Sequence, residues 1–167
     1  NTSGLVAAGK SLLGLQVLSK AIKERTIGKY YLCIVKGVID SPRRIQGWLL
    51  KNEKTNQVTV TKQRREGSLP IETEYVPMAS DGHYTLLKVK LITGRSHQIR
   101  AHLASIGHPL LGDVVYGAKK PVPGLAGQCL HARRLSFVHP RTGERVTVEC
   151  PLPAYFTQVL TKLRHLV

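Results

Sequence analysis

The sequence predicts an α+β fold, with a mixed, mainly antiparallel sheet flanked by helices. Most of the predicted strands follow one another with only turns between them, which favours this arrangement over a doubly wound α/β fold. The length of 167 residues is that of about one average domain. No internal repeat or low-complexity linker divides the chain, so we expect a single domain over residues 1–167.

The N-terminal part of the chain combines an apolar run with a helical pattern. Residues 5–8 (Leu-Val-Ala-Ala) are predicted to be the end of a buried strand. Ser11 can cap a helix that ends near Arg25, before Gly28. The apolar residues that recur at helical spacing in this segment are Leu12, Leu15, Leu18 and Ile22.

The middle of the chain is rich in strand signals. The segment from Tyr30 to Val35 is β-branched and aromatic and closes at Gly37. Residues 44–50 and 57–62 are predicted as two strands joined by a polar turn. Two more strands, 71–78 and 84–92, flank the turn Ser80-Asp81-Gly82.

The last third begins with a predicted helix from Ser96 to Ile106, which Gly107 and Pro109 terminate. Residues 107–127 contain glycines and prolines that indicate irregular structure. Strands 128–138 and 144–150 bracket a turn, and a final helix starts at Ala154. The residues that this helix is expected to bury are Val159, Leu160 and Leu163.

The charge balance indicates a polyanionic partner. Lys and Arg total 25 against 10 acidic residues, which gives a net charge of +15, while 42% apolar residues allow an ordinary core. Nucleic acid is the first expectation and an anionic membrane surface the second. The first basic group lies between residues 43 and 65 and contains Arg43, Arg44, Lys51, Lys54, Lys62, Arg64 and Arg65. The second contains Lys119, Lys120, Arg133, Arg134 and Arg141.

The chain carries no signature of a common nucleic-acid-binding module, such as an aromatic RNA-recognition stripe or a zinc finger. This combination points to an enzyme that acts on nucleic acid. The membrane alternative is weaker because the basic residues lie on strand-rich segments and not on an amphipathic helix. No apolar run is long enough to span a bilayer.

Metal and disulfide chemistry are not expected. The three cysteines, Cys33, Cys129 and Cys150, are widely spaced and form no CxxC pair, which fits a reducing, cytoplasmic compartment. His97 and His102 lie too far apart around a helix to chelate one metal ion. Asp113 follows Gly112 in an irregular loop, where a turn-stabilising role is at least as good an interpretation as a catalytic one.

One segment combines features of an anion site. Arg95 lies where a predicted strand ends and a helix begins, and a helix N-terminus offers free N–H groups to a phosphate or carboxylate. The guanidinium of Arg95 could hold a carboxylate through two hydrogen bonds. Alternatively, Arg95 only bridges the two elements.

Several ordered motifs resemble the RluA family of RNA pseudouridine synthases. The resemblance rests first on Gly94-Arg95-Ser96-His97-Gln98-Ile99-Arg100, followed by Gly107-His108-Pro109-Leu110-Leu111-Gly112-Asp113 and Tyr116-Gly117. Further matches are Thr2-Ser3-Gly4, Lys29-Tyr30-Tyr31-Leu32, Leu130-His131-Ala132, Phe137, His139-Pro140 and Pro151-Leu152-Pro153. These motifs extend over nearly the whole chain.

The resemblance implies isomerisation of uridine to pseudouridine in structured RNA, ribosomal more than transfer RNA, without cofactor or metal. It assigns Tyr31 to stacking on the target base and assisting proton transfer, Arg95 to pairing with a catalytic aspartate, and Leu130 to lining the base pocket. Arg100 and His97 are further candidates for substrate binding. The family's aspartate belongs to an Arg-Leu-Asp-x-x-Thr-Ser-Gly motif, whose register places it two positions before Asn1.

We therefore expect the chain to be a fragment of a catalytic domain that is inactive alone, and to be monomeric. An alternative is a noncatalytic RNA-binding module that uses the same fold. The residue that stands at the expected aspartate position would distinguish the two.

Overall fold

The computed structural model describes residues 2–163 and shows eight strands and three helices in that range. The strands are β1 (Ser3–Gly4), β2 (Gly28–Lys36), β3 (Arg43–Asn52), β4 (Gln57–Thr61), β5 (Leu69–Ser80), β6 (Tyr84–Leu91), β7 (Leu130–Val138) and β8 (Arg145–Glu149). The helices are α1 (Leu12–Lys23), α2 (Gln98–Ser105) and α3 (Ala154–Lys162).

All eight of these strands join one sheet in the order β1-β7-β2-β6-β5-β3-β4, with β8 also paired to β7. The β1–β7 pair is parallel, and every other pair within residues 2–163 is antiparallel. This arrangement confirms the predicted α+β class with its mixed, mainly antiparallel sheet. The short turns between β3 and β6 explain it, since a chain that reverses in a few residues can only pair antiparallel.

The two faces of the sheet carry separate apolar cores because successive side chains of a strand point to opposite faces. On one face, Cys33 of β2 packs with Val89 of β6 and with Leu103 of α2. On the other face, Ile34 of β2 packs with Phe156 of α3. Helix α2 and the strands beside it therefore frame the face on which Tyr31 lies.

The predicted strand over residues 5–8 is wrong. Pairing with β7 occurs earlier, at Ser3 and Gly4, and the last backbone bond of this edge joins Leu5 N–H to the carbonyl of Ala132 at 3.0 Å. Gly4 has φ +107, and a Cβ there would lie 2.3 Å from the Ala132 oxygen, so only glycine fits this bend. Beyond it the chain leaves the sheet, and Val6 is exposed.

The predicted helices exist with shifted ends or different buried faces. Ser11 caps α1 by accepting the Gly14 N–H at 3.1 Å, as expected, but Leu12, Leu15 and Ile22 remain exposed. In α3, Leu160 is buried as predicted, whereas Val159 and Leu163 are only partly buried. The fully buried side chain of α3 is Phe156, which the sequence did not single out.

Helix α2 begins at Gln98, two residues after the predicted start, because His97 adopts a left-handed conformation with φ 54. Residues 107–127 contain no helix or strand, as predicted. Among the helices of residues 2–163, none is long and apolar enough to cross a membrane.

Candidate functional site

A cavity of about 310 Å³ opens between β1, β2, β7 and the start of α2. It is lined by all five candidate site residues of the sequence analysis, which are Tyr31, Arg95, His97, Arg100 and Leu130. The side chains of residues 2–163 that line it are Thr2, Tyr31, Leu91, Arg95, His97, Gln98, Ile99, Arg100, Gln128 and Leu130. Segments that are far apart in the sequence therefore contribute to one site, which combines apolar side chains with the cations Arg95 and Arg100.

Tyr31 enters the cavity from the middle of β2. It pairs with Val89 of β6 and with Ala132 of β7, beside a bulge that leaves Arg133 as an extra residue of β7. Such bulges re-aim neighbouring side chains and are common next to active sites. The Tyr31 ring is half-buried, and burial raises the pKa of its phenol above the ordinary value, so the hydroxyl is protonated at neutral pH.

Arg95 and Lys29 form a pair of like charges beside the cavity. The Lys29 ammonium lies so near Gly94 that a Cβ there would be 2.4 Å from it. Burial, and then the charge of Arg95, lower the pKa of Lys29 from its usual value. No carboxylate within residues 2–163 forms an ion pair with either side chain. This place therefore attracts an anion.

Gln98 fixes the backbone that carries Arg95. Its side-chain oxygen accepts the Arg95 N–H at 3.0 Å and the Thr93 hydroxyl at 2.8 Å. Its side-chain nitrogen donates to the Glu72 carbonyl at 3.0 Å, which links the loop to β5. Gln98 is buried, so these bonds are shielded from water. Gln98 lies within a sequence motif, but its role as a bridge between this loop and β5 is visible only in the fold.

Arg100 is held by a carboxylate on the other side of the cavity. Two of its guanidinium nitrogens donate to the two oxygens of Asp113, at 2.8 and 3.0 Å. The Asp113 side chain is fully buried and that of Arg100 is 12% exposed. Asp113 also accepts the N–H groups of Val115 and Tyr116. The turn-stabilising interpretation of Asp113 is therefore correct, and the ion pair adds a role that the sequence did not reveal.

His97 belongs to the same arrangement. Its Nδ1 lies 2.8 Å from the Tyr116 hydroxyl, which also accepts the Val58 N–H at 3.0 Å. The guanidinium of Arg100 lies 5.1 Å from the centre of the Tyr116 ring. Burial lowers the pKa of His97, with a further contribution from Arg100, so its imidazole is neutral at physiological pH. Tyr116 thus ties His97 and Arg100 to one rigid loop.

A buried polar chain also fixes β1 against β7. The Ser3 hydroxyl lies 2.9 Å from Nδ1 of His131 and 3.0 Å from the Tyr155 hydroxyl. The other ring nitrogen of His131 lies 3.3 Å from the Cys150 carbonyl. Because Ser3 pairs in parallel with His131, the preceding residue, Thr2, is placed at the rim of the cavity. The motifs Thr2-Ser3-Gly4 and Leu130-His131-Ala132 therefore meet where β1 pairs with β7.

The two basic groups are partly neutralised across strands. Arg44 pairs with Glu72 and Glu74 of β5, and Arg134 pairs with Glu149 of β8. Counting charges along the sequence misses these partners, since they lie on neighbouring strands. Cations of the first group that form no ion pair with a described carboxylate include Arg43, Lys54, Lys62, Arg64 and Arg65.

His102 of α2 is linked to the cavity residue Gln98 through the Thr73 hydroxyl, and its burial makes stability depend on pH. It is 1% exposed, its Nδ1 lies 2.9 Å from the Thr73 hydroxyl, and the ring also bonds the Gln46 backbone. Thr73 in turn accepts a bond from the side chain of Gln98 at 3.1 Å. Burial lowers the pKa of His102 to about 4. The folded protein therefore contains the neutral form of the His102 ring at neutral pH.

We expect the free energy of unfolding to fall as the pH decreases from about 6.5 towards 4, since only the unfolded state takes up the His102 proton in that window. The loss attributable to His102 is about 3 kcal/mol, complete below the folded-state pKa. Urea unfolding of the wild type and of His102→Asn at several pH values measures it. The exposed His83, changed to Asn, is the matched control. An equal pH dependence in the wild type and His102→Asn would contradict the prediction.

Comparison with known proteins gives consistent matches. A family model described as RNA pseudouridylate synthase matches residues 1–105. A Synechocystis protein described as an uncharacterized RNA pseudouridine synthase is 37% identical over 99% of this chain and 51% of its own length. The ribosomal large subunit pseudouridine synthase C of Vibrio cholerae is 33% identical over 99% of this chain and 53% of its own length. The chain thus spans about half the length of these relatives.

Solved structures match as well. The human RNA pseudouridylate synthase domain containing 4 superposes with a TM-score of 0.76 at 21% identity, over 93% of this chain and 69% of that one. The human RNA pseudouridylate synthase domain containing 1 gives a TM-score of 0.69 at 26% identity, over 93% of this chain and 73% of that one.

Proposed function

Because the chain belongs to the RNA pseudouridylate synthase family, we propose that it forms the larger part of a catalytic domain that isomerises uridine to pseudouridine in structured RNA. The observation that carries this proposal is the cavity itself. It combines an aromatic ring, an apolar wall and a cation without a carboxylate partner in residues 2–163, namely Tyr31, Leu130 and Arg95. An aromatic ring and an apolar wall suit the binding of a flipped base, and a guanidinium without a partner suits the binding of a catalytic carboxylate.

The reaction exchanges one bond of the nucleoside for another. The bond between the sugar and N1 of uracil breaks, the sugar joins C5, N1 gains a proton and C5 loses one, so no oxidant or reductant is needed. A uridine must leave its stack before these atoms can be reached. Tyr31 lines the cavity, and we propose that its ring stacks on the base and that its protonated hydroxyl takes part in the proton transfer.

Arg95 is proposed to hold a catalytic carboxylate in the charged form. In the complete protein this carboxylate would belong to an aspartate that precedes Thr2, and Thr2 itself lines the cavity. A guanidinium beside a carboxylate lowers its pKa and orients it through two hydrogen bonds. His97 and Arg100 line the same cavity and are proposed to contact the nucleotide.

The substrate is proposed to be large-subunit ribosomal RNA, as the names of several relatives suggest. Phosphate contacts from the basic side chains would supply most of the affinity, which should therefore fall steeply with salt. We further propose that the single domain acts as a monomer in the cytoplasm, without metal or cofactor.

A direct assay of product tests the proposal. Mass spectrometry of large-subunit ribosomal RNA should detect pseudouridine after incubation with the protein extended upstream through an Arg-Leu-Asp segment, and not with residues 1–167 alone. The matched control is the extended protein with that aspartate changed to asparagine. Activity of residues 1–167 alone would contradict the assignment of the carboxylate. RNA binding without product in either protein would favour a noncatalytic RNA-binding module.

A further inference from the structure

We propose that a second cavity, on the opposite face of the sheet, binds a further nucleotide of the same RNA, with Trp48 as its stacking surface. This inference rests on the proposed action on RNA. The cavity has a volume of about 330 Å³, within the range of small-ligand pockets. Its lining is Arg25, Gln46, Gly47, Trp48, Lys62, Pro70, Ile71, Glu72 and Thr93.

The sheet presents Trp48 at the wall of this cavity. Trp48 lies on β3 and pairs with Pro70 of β5 on one side and with Thr61 of β4 on the other. It is only partly buried, although a tryptophan in a well-packed sheet is usually largely covered. An indole on a strand that is paired on both sides is a stacking surface for any base, because every base has a π face.

The charges around the indole favour a phosphate. Arg25 and Lys62 line the cavity, and the guanidinium of Arg64 lies 5.7 Å from the centre of the Trp48 ring. The one acidic side chain of the lining is Glu72, and it already accepts bonds from Arg44 and from the amide of Gln46. Basic side chains beside an aromatic ring form the usual site for single-stranded nucleic acid.

The second cavity lies on the face of the sheet opposite α2, because Trp48 alternates along β3 with Gly47 and Leu49, which face α2. Thr93 lines the second cavity, and Arg95, two residues further along, lines the first. Two residues span at most about 7 Å, so both cavities lie near the end of β6, although on opposite faces of the sheet. The backbone between them is held by the Thr93 hydroxyl, which donates to Gln98 at 2.8 Å. An RNA strand that occupies both cavities therefore has to bend around this end of the sheet.

Trp48 allows a direct test, since the chain contains a single tryptophan. Addition of a single-stranded oligouridylate to the 167-residue chain is expected to quench the Trp48 emission saturably and to protect the indole from acrylamide. Trp48→Ala should weaken binding about 5- to 100-fold, as loss of one stacked base does, while Trp48→Tyr should retain most of the affinity. The fluorescence measurement needs no variant, so it decides even if Trp48→Ala does not fold.

A Tyr31→Ala variant distinguishes binding at the second cavity from binding at the first, since Tyr31 lines only the first. If the second cavity acts as proposed, this variant still shows quenching of Trp48 by the oligonucleotide. Unchanged emission and acrylamide accessibility at saturating RNA would overturn the second site. Pseudouridine formation by the extended protein would in that case leave the proposed function standing. Quenching of Trp48 without pseudouridine formation by the extended protein would support the second site and contradict the proposed function.

Discussion

Changing Arg95 to lysine is expected to remove most pseudouridine formation from the extended protein while leaving its fold unchanged. Arg95 is exposed at the cavity, and its side chain makes no hydrogen bond or ion pair within residues 2–163 on which folding could depend. Lysine keeps the charge but is a point donor, which cannot grip both oxygens of a carboxylate. The carboxylate would lose its orientation, and a small misplacement at a reacting centre costs about 100-fold.

Steady-state kinetics on RNA check this expectation. The loss should appear in kcat, with KM changed little, because many other cations hold the phosphates. Arg141→Lys, in the turn between β7 and β8 and outside the cavity, is the matched control and should keep the wild-type kcat. A melting temperature lowered in Arg95→Lys would show that Arg95 is structural instead. An unchanged kcat would remove it from the catalytic site.

The residues at the cavity could be predicted from the sequence, but most of the contacts that hold them could not. Tyr31, Arg95 and Leu130 belong to motifs that the sequence displays in order, and the structure places them around one cavity. The partner of Arg100, by contrast, lies 13 residues away, across an irregular loop. No periodicity connects two such positions. Only the folded chain shows that the Asp113 carboxylate meets that guanidinium.

The error over residues 5–8 has a similar origin. Apolar composition indicates burial, but it does not specify what the segment pairs with. The residues that pair with the edge of β7 are Ser3, which is small and polar, and Gly4, which has no side chain. Both can therefore approach His131 and Ala132 closely. Composition alone therefore favours the more apolar residues 5–8 over Ser3 and Gly4. The internal hairpins were predicted closely, since their turns and alternating strands are local features.

Removing the carboxylate of Asp113 is expected to have the largest effect on stability. Asp113→Ala leaves the guanidinium of Arg100 largely buried and without its partner, which typically costs about 3–5 kcal/mol. It also frees the N–H groups of Val115 and Tyr116. Burial alone would raise the pKa of Asp113. Its bond to Arg100 and those to the backbone hold the pKa below its ordinary value, so the carboxylate is charged at neutral pH.

Asp81→Ala is the matched control for the turn. Asp81 likewise accepts two backbone N–H groups, from His83 and Tyr84, but it pairs with no guanidinium among residues 2–163 and lies near the surface. Its loss should cost about 1 kcal/mol per bond or less. Chemical denaturation of both variants measures the difference. Similar losses for the two aspartates would mean that the Arg100 pair contributes little.

A double variant distinguishes the ion pair from the loop that it holds. Arg100→Met combined with Asp113→Leu removes both charges, so it should be more stable than Asp113→Ala alone, since no unpaired charge stays buried. It should nevertheless bind RNA less well, because Arg100 no longer fixes the Tyr116 ring, and His97 loses a firmly held partner. Recovered stability with undiminished RNA affinity would show that Asp113 serves the fold only. Recovered stability with weakened affinity would show that the Arg100–Asp113 pair serves RNA binding as well as the fold, through the proposed contact of Arg100 with the nucleotide and through the Tyr116 ring.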